Sequence, residues 1–366
     1  MYETFDKKYR PKKLSDVIGQ EVVVQCLTNA VKKSKLHHAY IFEGNLGSGK
    51  TSVSRILAAT ENCQEEKTFD PCGKCDNCKA IFNSRSIDVH ELDSASNRSV
   101  DDIREIREEI KLAPTSCNVR YIIIDEAHSL TGIAAEAALK MIEEPPPYVR
   151  FILCTTDAHK LKPTIRSRCI MFKFHSLGIQ NIAKYIKDIC SKEKIEIDDG
   201  AAKIIARLSQ GSVRDSLQNL EKVISFNDYS SPVTVECVSN ALGIISQVAF
   251  FHLLDAIVKK DAPKIYKVIN KILTSGQYIG QLVDELAEHL GILMKIKTCP
   301  NDTGSFELTD DELKKYTYQA GKFDIAHIVK MITYLSQVNE GLEYNMKADI
   351  MFEQWAIKSM FTNKNK

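Results

Sequence analysis

The chain of 366 residues is 44% apolar and 27% charged, the balance of a folded globular protein with room for two or three cores. Its 49 Lys and Arg against 48 Asp and Glu give a formal charge of +1. That excludes polyanion binding by net charge alone and leaves local clusters such as Lys7 to Lys13 (KKYRPKK), whose plainer reading is a solvated face. No apolar run approaches the roughly 20 residues that span a bilayer. The N-terminal MYETFDKKYRPKK also lacks the apolar centre of a secretory signal, so a cytoplasmic protein with reduced thiols is expected.

From residue 38 to about 174, strand-like apolar runs alternate with helical patterns, as in an α/β domain. The first run, HHAYIFEG, leads into GNLGSGKT (Gly44 to Thr51), which fits the P-loop pattern G-x-x-x-x-G-K-[ST]. Gly44, Gly47 and Gly49 let successive amides turn inward on phosphate oxygens, with Asn45, Leu46 and Ser48 between them. Lys50 would reach the β- and γ-phosphates, and the Thr51 hydroxyl would ligate Mg²⁺. The helix TSVSRILAAT, with Ser52 in its first turn, aims its positive end at the same place. A flexible turn can match the motif by chance, but the strand before and the helix after are the context it requires.

Next comes CQEEKTFDPCGKCDNC, with Cys63, Cys72, Cys75 and Cys78 in a C-x8-C-x2-C-x2-C spacing. Four thiolates suit a tetrahedral Zn²⁺, and Gly73 permits the sharp turn between ligands. An iron–sulfur cluster and free or redox thiols are the alternatives, although the Cys-Pro that usually completes the iron–sulfur pattern is absent. Four protein ligands would leave no place for substrate, so the expected role is structural. The other seven cysteines (Cys26, Cys117, Cys154, Cys169, Cys190, Cys237, Cys299) read as small core residues.

SIDVHELD is the second strand candidate, followed by Ser96, Asn97, Arg98 and Ser99, which are either phosphate contacts or a plain helix cap. VRYIIIDEAH is apolar throughout, as in a strand covered on both faces, and ends in Asp125 and Glu126. Asp125 would act on Mg²⁺ and Glu126 would polarise an attacking water; the alternative is a helix-capping carboxylate. TGIAAEAALKMIEE reads as a helix stopped by Pro145-Pro146-Pro147. VRFILCTTD places Thr155 or Thr156 beside the Asp125 strand, as a γ-phosphate contact or an ordinary strand-end threonine. Arg166, Arg168 and, later, Arg214 are cations able to neutralise transition-state charge or to form surface ion pairs. CIMFKF is the last strand candidate.

Residues 178–242 read as three short helices, with GSVRD (Gly211 to Asp215) at the turn into the third, and longer helices follow from Gly243. The expected domains are an ATP-binding core at 1–175 with a zinc module at 62–80, a three-helix domain at 176–242, and a larger helical domain at 243–366.

KKYRPKKLSDVIGQ, HHAYIFEGNLGSGKTS, the cysteine module, DEAH, ALKMIEEPPP, TTD, SRC and GSVRD occur in this order. The succession closely resembles the γ/τ subunits of bacterial DNA polymerase III, the ATPase motors of the sliding-clamp loader, densely over 5–225 and more loosely over 226–366. The resemblance implies a AAA+ core with a parallel sheet, a three-helix lid and a helical collar through which subunits oligomerise. It implies ATP, Mg²⁺ and Zn²⁺, with Tyr9, Arg10, Pro11 and Val17 to Gly19 wrapping the adenine. Thr156 would be the sensor on the sheet, Arg214 the sensor on the lid, and Arg168 the finger reaching a neighbouring subunit's ATP. The implied partners are δ and δ′ subunits, the sliding clamp and the backbone of primer–template DNA, with no membrane. Other readings are a non-catalytic ring subunit, opposed by the intact Gly49-Lys50-Thr51 and Asp125-Glu126, and an ATPase that remodels protein complexes. Two departures are Asn45-Leu46 where a basic residue is frequent, and an end at Lys366 without the long τ tail, as in the shorter γ form.

Overall fold

Five parallel strands carry the first half of the chain: β1 (Ala39–Gly44), β2 (Val89–Asp93), β3 (Arg120–Asp125), β4 (Val149–Thr155) and β5 (Ile170–Phe174), in the order β2-β3-β4-β1-β5. The computed structural model describes residues 3–65, 69–94, 106–130, 132–229, 232–243, 247–273, 279–299, 308, 310–343 and 346–361. Ser96 to Ser99 lie outside them. Two units are distinguished, Met1–Val235 and Glu236–Lys366.

β3 and β4 read as unbroken apolar runs because both faces are covered. Side chains alternate between two cores: Tyr121 and Ile123 pack with Val53, Ile56 and Leu57 of the helix Lys50–Glu61, while Ile122 and Ile124 pack with Ala134, Ala138 and Ile142 of the helix Gly132–Glu143. That second helix stops just short of the three prolines. β5 is an edge strand, and its Ile170 and Met171 are exposed. The strand order sets the carboxyl ends of β3, β4 and β1 side by side, where ligands of open parallel sheets bind.

The first unit continues with the helices Ile179–Glu193, Asp199–Leu208 and Val213–Phe226, the last capped by Ser212 Oγ, which accepts the Asp215 amide at 3.2 Å. Among the described residues, 178–242 holds four helices where three were expected. Asp228 and Tyr229, both at positive φ, end the third, and Val235–Leu242 forms a fourth. Of the singly placed cysteines, Cys154, Cys190 and Cys237 are buried as expected, but Cys26 and Cys299 are exposed. Among the described residues no helix is long and apolar enough to cross a membrane.

The second unit is helical, with helices at Gln247–Val258, Ala262–Leu273, Ile279–Thr298, Asp310–Ala320, Ile325–Glu343 and Ala348–Phe361 around Tyr316, Phe323, Phe352 and Trp355. Its core encloses a polar chain: Tyr316 Oη lies 3.0 Å from His289 Nδ1, His289 Nε2 lies 3.0 Å from Gln319 Oε1, and the Gln319 amide donates to Asp255 Oδ1 at 3.1 Å. Burial pushes the His289 pKa down to about 4 from 6.5, against a smaller opposite pull from Gln319. The ring is therefore neutral when folded, whereas the unfolded chain takes up a proton near 6.5. This contribution to stability is complete above pH 6.5 and is lost as pH falls through 4, a loss of about 3 kcal/mol. An NMR titration of His289 is expected to show its midpoint near 4; a midpoint near 6.5 would contradict the burial argument.

Candidate functional site

The turn after β1 is built around left-handed backbone. Gly49 has φ +98° and precedes the helix Lys50–Glu61, and a Cβ there would meet nothing within 4 Å. The residues of this helix start line a cavity, the position in which helix N-termini bind anions. Gly47 is fixed by close approach: a Cβ on it would lie 2.0 Å from Ser212 Oγ. Its carbonyl accepts the Val213 amide at 3.3 Å, joining the loop to the start of the Val213–Phe226 helix.

Lys50 is 5% exposed, and its ammonium donates to the carbonyls of Gly44 at 2.6 Å and Asn45 at 2.9 Å. Burial lowers its pKa, while Cys154, Glu126 and Asp125 pull the other way. The Thr51 hydroxyl donates to Asp125 Oδ2 at 2.8 Å. This hydroxyl–carboxylate pair beside the helix start is a hard-oxygen donor set that fits Mg²⁺.

Glu126 sits one residue past β3 at φ +47°, a conformation that costs a non-glycine residue about 1 kcal/mol. Its Oε2 lies 3.3 Å from His128 Nδ1, while its buried Oε1 has no hydrogen-bond partner. An orphaned carboxylate oxygen in a polar cavity is a place for a water molecule. His128 Nδ1 also lies 3.0 Å from Thr155 Oγ1, so it links Glu126 to the end of β4. The sequence reading missed His128, although it stands in the quoted DEAH. Thr156 lies one residue beyond the strand, and it is the fully buried Thr155 that joins this cluster.

One cavity joins these groups. Gly47, Ser48, Gly49, Lys50, Thr51, Ser52, Asp125 and Glu126 form its polar end, with Leu46 alongside. Tyr9, Pro11, Val17, Ile18, Tyr185 and Leu217 supply apolar wall at the other end. Arg10 lines it too, with Nε 3.3 Å from Ser52 Oγ, and so does Arg214, 65% exposed and paired with Asp6 at 3.7 Å. Gly44 and Asn45 act from behind, through the carbonyls that hold Lys50. Gly19 is not among the lining residues: it packs on Leu177 at φ +66°, and Ile18 lines the cavity instead. Tyr185 and Leu217 come from helices nearly 200 residues along the chain, which local pattern could not reveal. Arg168 stands outside the cavity, paired with Glu143 at 3.0 Å.

The four cysteine sulfurs Cys63, Cys72, Cys75 and Cys78 lie within 4.8 Å of one another, and Cys72 Sγ is 3.9 Å from Cys78 Sγ. A tetrahedral zinc with bonds of about 2.3 Å spaces its sulfurs by roughly 3.8 Å, so the donor set and spacing fit the metal. Amides already point at sulfur: those of Cys75 and Lys74 reach Cys72 Sγ at 3.3 Å and draw its pKa down to about 6. Burial raises Cys63 and, further, Cys78. Gly73 takes φ +70° between the ligands.

Three family models match the chain: "DNA polymerase III, delta subunit" over residues 19–178, "DNA polymerase III clamp loader subunit, ATPase lid domain" over 181–228, and "DNA polymerase III subunits gamma and tau domain III" over 233–358. The DNA polymerase III subunit gamma of Buchnera aphidicola (subsp. Acyrthosiphon pisum) is 37% identical over 289 residues, 79% of this chain and 80% of that protein. The subunit tau of Bacillus subtilis is 33% identical over 359 residues, 98% of this chain and 63% of that protein. The subunit tau of Escherichia coli is 35% identical over 318 residues, 86% and 49%. The chain thus spans half to two thirds of these tau relatives.

Elemental analysis of the purified protein is expected to find about one zinc per chain, lost in Cys72→Ser. Iron with visible absorption would contradict the assignment of the sulfur cluster to zinc.

Proposed function

The chain belongs to the γ/τ family of DNA polymerase III subunits, and on that premise we propose that it is an ATP-hydrolysing motor of a sliding-clamp loader. The observation that carries this reading is the meeting, in one cavity, of a helix start, a buried Lys50, the Thr51–Asp125 pair and a Glu126 oxygen with no partner.

The apolar lining, with Tyr9, Pro11, Val17 and Ile18, takes the adenine, and Arg10 meets the phosphate turn through Ser52. Amides from Gly47 to Ser52 receive the phosphate oxygens, and the Lys50 ammonium exchanges the Gly44 and Asn45 carbonyls for them. Thr51 and Asp125 would hold Mg²⁺, which would supply charge neutralisation for the transferred phosphoryl group. Glu126 Oε1 accepts a hydrogen bond from the attacking water and turns it in line with the γ-phosphorus. The sensing role read from the sequence for Thr156 passes to Thr155, which reaches Glu126 through His128. Arg214 faces the nucleotide from the helix Val213–Phe226, the last of the three helices at 179–226 that form the lid. Arg168, outside its own cavity, is placed to act on the ATP of a neighbouring subunit.

The zinc cluster is structural, since four cysteines fill its coordination. By this reading the helices from residue 243 onward form the collar that assembles the ring, and the chain works in the cytoplasm with δ- and δ′-type subunits. ATP binding orders the ring to open the clamp around primer–template DNA, gripped along its backbone, and DNA contact triggers hydrolysis.

Glu126→Gln preserves shape and removes the charge. It is expected to bind ATP as the unaltered protein does and to hydrolyse it slower by a factor on the order of 10² or more. Unchanged turnover would remove Glu126 from the role of base.

A further inference from the structure

Asp70, two residues before the ligand Cys72, makes its contacts with the N-terminal segment rather than with the sulfurs. Asp70 Oδ1 accepts the Leu14 amide at 2.8 Å, and its Oδ2 accepts the Ser15 hydroxyl at 3.3 Å. Leu14 and Ser15 open the short 3₁₀ turn Leu14–Asp16, whose own N-cap, Lys13, supplies no side-chain hydrogen bond. The chain leaving that turn is Asp16, Val17 and Ile18, part of the cavity wall. The cap of a cavity-forming turn thus comes from a residue 56 positions away, two before the ligand Cys72.

Packing fixes the same connection. Leu14, 1% exposed, belongs to the buried cluster against which Val17, Cys63, Cys72 and Cys75 all pack. Phe69, next to Asp70, lies under the Lys32 ammonium, 4.6 Å from the ring centroid, on the helix Glu21–Lys32. Cys63 and Cys72, if they hold a metal together, would fix the chain on both sides of Asp70.

We propose that Asp70 is a positioning residue for the nucleotide base, by which the cysteine module sets the wall at Asp16 to Ile18. This rests on the nucleotide reading given above. Through Asp70 the module shapes the base end of the cavity and leaves the phosphate end alone.

The test compares two ligands on the full-length chain by calorimetry, ATP and inorganic tripolyphosphate. Asp70→Ala is expected to weaken ATP about fivefold, the worth of a lost cap, with tripolyphosphate affinity and zinc content unchanged. Asp70→Asn, which keeps an acceptor for the Leu14 amide, is expected to recover most of the loss. Unchanged ATP affinity in Asp70→Ala would overturn the proposal, as would an equal fall for both ligands, which marks general loosening. If the unaltered chain itself bound no ATP, the nucleotide reading would fail first.

Discussion

Lys50 carries its charge at 5% exposure, and an ammonium that deep is tolerated only where oxygen atoms replace its water. Two loop carbonyls do so, with the carboxylates of Asp125 and Glu126 in the same cavity. Those carboxylates are themselves half-buried, so cation and anions justify each other's position. The arrangement depends on strand order. With β4 between β1 and β3, the loop holding Lys50, the Thr155 hydroxyl and the two acids all emerge at one edge. An antiparallel sheet would send half of these groups to the far edge. The apolar faces of the sheet hold that edge rigid.

The parts of this design that are local in the chain were legible in the sequence. The P-loop is eight consecutive residues, the sulfur cluster sixteen, and the doubly covered strands leave unbroken apolar runs. What escaped is what the fold assembles from afar. Tyr185 and Leu217 reach the cavity from the lid helices, and Glu126 meets Thr155 through His128 only because β3 and β4 are neighbours. Gly19 entered the adenine loop through the resemblance, but it packs on Leu177 at φ +66°, and Ile18 lines the wall instead. Arg168 shows the opposite case: its motif was plain, and its position outside its own cavity follows from the exposed end of the helix Pro163–Arg166.

The cysteine module is tied to the core at two places. On one side Asp70 caps the turn before Val17. On the other, the Asn77 amide donates to the carbonyls of Asn62 and Ser116 at 3.0 Å, and buried Asn62 Oδ1 accepts the amides of Asn118 and Val119 at 2.9 Å, at the start of β3. Next to it, fully buried Asp88 would be raised by burial, but the amides of Ser116 and Thr115 and the Arg120 guanidinium hold its carboxyl well below the usual range. The module therefore braces β3 at the end opposite Asp125.

Contacts across the cavity make the lid responsive to what it holds. Gly47 touches Ser212 and Val213, Arg214 pairs with Asp6, and Tyr9 donates to Glu193 while Tyr185 donates to the Tyr9 carbonyl at 3.2 Å. Occupancy of the phosphate end thus bears directly on the helices at 179–226. Arg168 pairs with Glu143 outside its own cavity, so under the proposed function it would serve the ATP of a neighbouring subunit. The most direct measurement is ATP turnover by this chain alone, then assembled with δ- and δ′-type subunits, a ring clamp and primed DNA. The account predicts slow turnover alone and a large rise on assembly, lost when Arg168 is replaced by alanine. Full turnover by the isolated chain, indifferent to partners, clamp and DNA, would contradict it.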